Sequence, residues 1–287
     1  MKYRIGDTVI AINVEEKDLH PNFQAFVCEE DALPQLSLEV VQETQMMMSV
    51  EMTVGQIVLM KSDRLGVYEG AMGIDLVYRK HTQLTSISVE KGYQNARIYV
   101  VKDDDGVWKE ELHEALKDVV YLALEQNGRV VLDSSSLLID GRGVIFAADP
   151  GAAFAKLCIE QDLGKMLNDQ ANVLGIQDGR IYLYGTPWCG EGNFQAERTP
   201  LGGIVFLQKS DAMIVSDVQA DKRQLLLLIY CKSPLWREGL LDQCLDTIQR
   251  VEPSVWIRQL KSHSDAEAVG VLKEALDSMD ADTTVQY

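Results

Sequence analysis

The first hundred residues alternate between apolar and polar positions at the period of a β-strand. Short segments rich in Val, Ile, Tyr and Thr are separated by turn residues, which predicts an N-terminal region built of strands. The predicted strands cover residues 3–14, 36–42, 55–61, 66–71, 75–80, 84–89 and 96–101. A charged, glycine-containing stretch at 101–110 then interrupts the pattern, and we place a domain boundary near Asp104.

After this boundary the pattern contains helical periods. Apolar residues recur at i, i+3 and i+4 spacing over 108–128, which predicts a helix that stops at Gly128. Further helices are predicted over 152–163, 234–251 and 264–279, and Ser264 with Glu267 forms a capping box for the last. Short strand-like apolar segments lie between them, at 129–133, 135–140, 143–148, 173–177, 180–186, 202–208 and 224–230.

These elements predict an α/β fold in two domains. A β-rich accessory domain covers residues 1–104, and a domain of mixed sheet with flanking helices covers residues 105–287. The length of 287 residues and a hydrophobic content of 46% are those of an ordinary globular chain.

Charge and cysteine content restrict the partners and the chemistry. The formal net charge of −17 repels phosphate backbones and anionic lipid, so we expect neither a nucleic-acid nor a membrane partner. The N-terminus lacks a signal-peptide core and no run of about 18 apolar residues occurs, which predicts a cytoplasmic location. The five cysteines form no CxxC pair, so zinc and thioredoxin-type chemistry lack support.

The stretch "GVIFAADPGAAFAKLC" at 143–158 reads as a strand, a tight turn and a helix, which is the shape of a phosphate-binding loop. In the template GxxxxGK[ST], Ala148 and Ala153 occupy the glycine positions. Phe154 replaces the lysine and Ala155 replaces the magnesium-binding hydroxyl, while Gly151 lies between the two glycine positions. The candidate positions of a degenerate nucleotide loop are Gly151, Ala152, Ala153, Phe154, Ala155 and Lys156.

The same stretch also fits an ordinary, self-capped helix. Asp149 followed by Pro150 is a strong helix start, with an Asp cap and proline at the first helical position. The Asp149 carboxylate would occupy the N–H groups that a phosphate needs and would repel its charge. Lys156 is no simple substitute for the missing lysine, because on a helix it points about 200° away from position 154.

Four segments in order resemble the HPr kinase/phosphorylase-related proteins of the phosphoenolpyruvate-carboxykinase-like P-loop group. They are residues 130–157, 166–194, 199–210 and 260–276, so the resemblance covers roughly 110–279. The most specific piece is "GTPWCGEG" at 185–192, which is similar to the family's "GTPWsGeg".

The resemblance implies an ATP-dependent serine kinase fold that uses magnesium and acts on a small carrier protein or peptide. It implies that Asp169 is a catalytic base or, with Glu191, a magnesium ligand. It places Thr186, Pro187, Trp188 and Glu191 in the loop that faces the substrate or partner. The chain departs from the family at two further positions, because Asp133 replaces a histidine and Gln170 replaces the second member of an acidic pair.

Three hypotheses remain open. The first is a pseudokinase without a cofactor, which uses the retained scaffold to bind a protein or peptide partner. The second is an atypical serine kinase that binds ATP and magnesium, in which Lys156, Arg142 or Lys165 replaces the missing cation. The third is a structural subunit of a homo-oligomer, because relatives of HPr kinase assemble into rings.

Overall fold

The computed structural model describes residues 1–28, 31–43, 56–79, 84–148, 151–190, 195–196, 198–232, 238–263 and 266–283. Within these residues the chain forms 17 strands and five α-helices, so the predicted α/β class is confirmed. The chain divides into two units, one of residues 1–127 with 233–242 and one of residues 128–232 with 243–287.

The first unit is a sheet with one long helix. Its strands, among the residues described, are β1 (Lys2–Ile5), β2 (Thr8–Asn13), β3 (Leu36–Gln42), β4 (Ile57–Lys61), β5 (Leu65–Glu69), β6 (Gly73–Tyr78), β7 (Leu84–Glu90) and β8 (Asn95–Val100). Their order in the sheet is β1-β2-β3-β8-β7-β6-β5-β4. Strand β3 runs parallel to both neighbours, β2 and β8, and the other pairs are antiparallel.

One face of this sheet is apolar because its strands alternate. In β8, Ala96, Ile98 and Val100 are buried while Asn95 and Arg97 are exposed. Helix α1 (Val107–Gln126) packs against β2, β7 and β8. The helix buries a stripe of apolar side chains at helical spacing, which includes Leu112, Leu116, Val119 and Val120.

Helix α1 belongs to the first unit, so the structure divides the chain after Asn127 rather than near Asp104. The charged stretch around Asp104 does interrupt the strands, but it leads into a helix that packs back onto them. The predicted end of this helix is confirmed, since Asn127 caps it and Gly128 follows with a left-handed φ of 69°.

The second unit contains the segment that resembles a phosphate-binding loop. Its strands, within the described ranges, are β9 (Val130–Asp133), β10 (Ser135–Ile139), β11 (Arg142–Ala147), β12 (Lys165–Asn168), β13 (Ala171–Gln177), β14 (Arg180–Tyr184), β15 (Arg198–Lys209), β16 (Ile214–Asp217) and β17 (Trp256–Ser262). Its helices are α2 (Gly151–Glu160), α3 (Ala220–Ile229), α4 (Glu238–Val251), of which residues 243–251 fall in this unit, and α5 (Ala266–Thr283).

These strands form one mixed sheet in the order β12-β10-β11-β15-β14-β13-β9, and β17 pairs with both β15 and β16. Strands β11, β15 and β17 are parallel, and β11 is followed directly by α2. One apolar cluster contains Ile145, Leu167, Leu183 and Ile204. A second cluster contains side chains of β10 and β11 together with α2 and α5, which cover that side of the sheet.

Two sequence predictions of secondary structure are wrong. Residues 3–14 are not one strand but the hairpin of β1 and β2, whose turn residues Gly6 and Asp7 both have positive φ. Residues 224–230 are not a strand, because 224–229 lie in α3. A short apolar run is compatible with either type of element, so periodicity could not decide there. The capping residue Ser264 lies outside the described residues.

No helix in the described part of the chain is both long and apolar enough to cross a membrane.

One histidine of the first unit should make the stability of the fold depend on pH. His113 on α1 stacks on His20 with ring centroids 4.5 Å apart and meets Phe23 edge-on. Burial, and then the charge of His20, lowers the pKa of His113 from 6.5 to about 4. The neutral histidine is therefore favoured in the folded state, so the full stability is present above pH 6.5 and is lost as the pH falls toward 4.

We expect His113→Phe to lose less stability on acidification than the wild type, by about 2 kcal/mol between pH 7.5 and pH 5. Urea unfolding at the two pH values measures this difference, and His263→Phe is the control because His263 is half exposed. Equal losses in the wild type and His113→Phe would contradict the assignment.

Candidate functional site

The loop that precedes α2 requires a glycine where the helix begins. A Cβ at position 151 would lie 2.9 Å from the carbonyl oxygen of Phe146 and 3.2 Å from Oγ of Ser135. Gly151 therefore lets the helix approach the ends of β10 and β11 closely, and its N–H donates to the carbonyl of Ala148 at 2.9 Å. Asp149 and Pro150, the predicted helix cap, lie outside the described residues.

The two template positions that define a nucleotide loop are core positions here. Phe154, at the lysine position, is 1% exposed and meets Phe146 edge-on with ring centroids 5.6 Å apart. Ala155, at the hydroxyl position, is fully buried in the same cluster. A lysine at 154 would point into an apolar cluster instead of toward a phosphate.

The other loop positions lie away from this cluster. Ala152 is half-buried, and Ala153 and Lys156 are exposed. The predicted orientation of Lys156, away from position 154, is consistent with this exposure.

Neither of the other proposed replacement cations lies at this end of the sheet. Arg142 begins β11 and pairs with Ile139, whereas α2 follows the other end of that six-residue strand, about 16 Å away. Lys165 begins β12 and pairs with Leu138, while the end of β12 near Ser136 is Asn168. The structure therefore does not bring Arg142 or Lys165 to the beginning of α2.

A buried amide shapes the turn between β12 and β13. Asn168 is 0% exposed, and its Oδ1 accepts hydrogen bonds from the N–H groups of Gln170 and Ala171, both at 2.9 Å. Its Nδ2 donates to the carbonyl of Thr186 at 3.0 Å. One side chain therefore fixes the turn that presents Asp169 and ties it to the following loop.

Further hydrogen bonds extend from this amide through the interior. The Thr186 hydroxyl donates to the carbonyl of Ala171 at 2.9 Å. The Ser136 hydroxyl donates to Oδ1 of Asn172 at 2.5 Å, and Nδ2 of Asn172 donates to the carbonyl of Ser134 at 2.6 Å. We call Ser134, Ser136, Asn168, Asn172 and Thr186 the polar network. All five are buried, and each is held by hydrogen bonds within the protein.

Asp169 is half-buried and directly follows Asn168 of the polar network. Its Oδ1 accepts from the N–H of Gly190 at 2.7 Å. A Cβ at position 190 would lie 2.5 Å from Oδ2 of Asp169, so a larger residue there would force this carboxylate to move. Glu191, the second predicted magnesium ligand, lies outside the described residues. Within the described ranges no group of three potential ligands is close enough to hold a metal ion.

The Thr-Pro-Trp segment is internal in this structure. Thr186, Pro187 and Trp188 are all buried, so their side chains pack inside the protein and shape the loop. Cys189 and Gly190, which follow them, are half-buried. Burial, and then the negative charge of Asp169, raises the pKa of Cys189 to about 12, so its thiol stays neutral and is a poor nucleophile.

Asp133, which replaces the family histidine, is exposed and engaged in an ion pair. Its Oδ2 lies 2.5 Å from Nζ of Lys232, and its Cα pairs with that of Ala171 between β9 and β13. Histidine is the side chain that ordinarily exchanges a proton near neutral pH, and this position lacks it. Gln170, the substituted member of the acidic pair, is exposed.

The structure therefore brings together the segments that the resemblance assigns to a kinase site, but these segments carry few of the charged side chains that phosphoryl transfer uses. The starts of β10 and α2, the turn at Asp169 and the loop at 186–190 are linked by short contacts and hydrogen bonds. Asp169 can accept a hydrogen bond or attract a cation. Sequence reasoning missed the polar network and Lys232, although polar residues at the ends of apolar strands were a signal for the network.

The polar network predicts different effects at two adjacent serines. Ser135 and Ser136 are both buried on β10, but Oγ of Ser135 has no hydrogen-bond partner among the described residues. Ser136→Ala leaves Oδ1 of Asn172 without its donor, so we expect a loss of about 1–2 kcal/mol in the free energy of unfolding. Ser135→Ala is the matched control and should be nearly neutral. Chemical unfolding checks both, and equal effects would contradict the network.

The burial of Phe154 can be tested by placing a lysine at position 154 and, for comparison, at the exposed position 153. Phe154→Lys buries a cation among apolar side chains and should lower the free energy of unfolding by several kcal/mol. Ala153→Lys places the same side chain at an exposed helix position and should leave stability within about 0.5 kcal/mol. Thermal and urea unfolding compare the two, and a stable Phe154→Lys protein would show that this side chain does not belong to the core.

Comparisons with known proteins add a weak structural similarity. No family model matches the sequence, and no curated protein matches it. Among solved structures, the chain is similar to the Hpr(Ser) kinase/phosphatase from Coxiella burnetii, at 14% identity over 29% of this chain and 69% of that one. The TM-score of 0.22 does not establish a common fold.

Proposed function

We propose that this protein is a pseudokinase that resembles HPr kinase in its second unit and acts by binding a protein or peptide partner. The observation that carries the proposal is the burial of Phe154 and Ala155. These are the positions that the sequence resemblance assigns to the loop lysine and the magnesium hydroxyl, and both pack into an apolar cluster.

The chemistry of phosphoryl transfer supports this proposal. Transfer depends on cations around the γ-phosphate and on a group that orients the acceptor hydroxyl. Lys156 is exposed on α2, and Arg142 and Lys165 begin strands whose other ends lie near α2. Asp133 replaces the histidine and is paired with Lys232. Asp169 is a carboxylate that the resemblance assigns to the site, and Glu191 lies outside the described residues. The proposed role, binding of a partner, uses neither ATP nor magnesium.

The accessible part of the site favours a partner with a basic segment. Asp169 is half-buried with one oxygen held by Gly190, and Gln170 beside it is exposed. The chain carries a formal net charge of −17, which attracts cationic partners over long range. Since Thr186, Pro187 and Trp188 are buried, the turn at Asp169–Gln170 is the proposed contact.

Site-directed photo-cross-linking tests this surface. A photoreactive residue at Gln170 should capture a defined protein partner, because this exposed side chain adjoins Asp169. The same residue at Lys165, which is exposed at the other end of β12, is the matched control and should capture none of it. The charge reversal Asp169→Lys should lower the yield at Gln170 at least tenfold, and added salt should weaken it.

Two outcomes would overturn the proposal. One is equal capture from positions 170 and 165, which would indicate nonspecific contact. The other is transfer of the γ-phosphoryl group of ATP to a serine of the captured protein, abolished by Asp169→Ala. That result would establish the atypical kinase instead, with Asp169 as its base or magnesium ligand.

A further inference from the structure

Two cysteine sulfurs of the second unit lie unusually close together. Sγ of Cys231 and Sγ of Cys244 are 3.1 Å apart, and both cysteines are reduced. Two sulfur atoms without a bond normally stay about 3.6 Å apart, whereas a disulfide bond is about 2.05 Å long. The sulfurs therefore need to approach by only about 1 Å to form a bond.

The backbone around Cys231 is fixed by the edge of the sheet. Cys231 forms a bridge with Leu132 of β9. On either side, the N–H of Asp133 donates to the carbonyl of Tyr230 at 2.7 Å, and the N–H of Lys232 donates to the carbonyl of Val131 at 2.8 Å. Cys231 is thus held beside β9 by an isolated β-bridge and two flanking backbone hydrogen bonds.

Cys244 is fixed by the core. It is 1% exposed and belongs to the same apolar cluster as Ile248 and Val251 of α4. Cys231 packs against that cluster and is half-buried. Two thiols are therefore held together from different elements, and one of them, Cys231, is only half-buried.

We propose that Cys231 and Cys244 are a redox-modification site that a hydroperoxide converts to a reversible disulfide. The Cys231 thiolate attacks one oxygen of the peroxide, the O–O bond breaks, and a sulfenic acid forms on Cys231 with release of an alcohol or water. The sulfur of Cys244 then attacks the sulfenic sulfur, and water leaves as the S–S bond forms. In sum, two thiols and ROOH give one disulfide, ROH and water.

The other cysteines of this unit are poorly suited to the same reaction. Burial raises the pKa of Cys158 to about 12. The pKa of Cys189 is also raised to about 12, by burial and by the charge of Asp169. The thiolate is the reactive form, so both stay largely inert near neutral pH. The disulfide would also fix the segment 230–232, which contains Lys232, the ion-pair partner of Asp133.

Thiol counting on the full-length protein tests the site. The reduced protein is treated with a slight excess of hydrogen peroxide, unfolded and labelled with N-ethylmaleimide. Since the chain has five cysteines, we expect three labels instead of five, and the mass of the oxidised protein before labelling should be lower by about 2 Da. Peptide mapping should find Cys231 joined to Cys244, and dithiothreitol should restore five labels. The oxidised protein should melt several degrees higher than the reduced one.

The variants separate this pair from general oxidation. Cys231→Ser and Cys244→Ala should each abolish the cross-link, whereas Cys28→Ser, a half-buried cysteine in the first unit, should keep it. Retention of five labels in the wild type would overturn the proposal. So would sulfinic acid on Cys231 with Cys244 still labelled, because that result means that the second thiol does not capture the intermediate.

Discussion

The side chain of Asn168 is the constraint on which the candidate site depends. Its three short hydrogen bonds, to the N–H groups of Gln170 and Ala171 and to the carbonyl of Thr186, fix the turn after β12 and the loop after β14 together. Because the amide is buried, each unmade bond would leave a polar group without water or partner. The polar network therefore holds Asp169 and the neighbouring loop in place by hydrogen bonds within the protein itself.

The packing of α2 has a related consequence. Phe154 and Ala155 attach the beginning of the helix to the sheet through apolar contacts, where the related sequence motif has a cation and a hydroxyl. A lysine and a serine at these positions would each need a polar partner, whereas phenylalanine and alanine are stabilised by burial alone. This packing stabilises the start of α2 without a bound nucleotide, as the proposed function requires, and Asp169 with the exposed Gln170 is the surface proposed for the partner.

Much of this architecture could be predicted from the sequence, but the site could be predicted only in part. The alternation in β3 and the helical period of α1 are strong because each element buries one face, and both were found nearly residue for residue. The hairpin at Gly6–Asp7 was missed although its turn residues favour positive φ. The pairing of Asp133 with Lys232 depends on a contact between distant residues, which one sequence does not show.

The central claim is that Phe154 and Ala155, the positions of the loop lysine and hydroxyl, are part of the core and bind no nucleotide. Calorimetric titration of the full-length protein with Mg·ATP tests this claim most directly. The account predicts no saturable heat up to about 1 mM nucleotide, since the lysine and hydroxyl positions supply no polar contact. Saturable binding in the micromolar range that disappears in Asp169→Ala would contradict it and would show that another group supplies the missing charge.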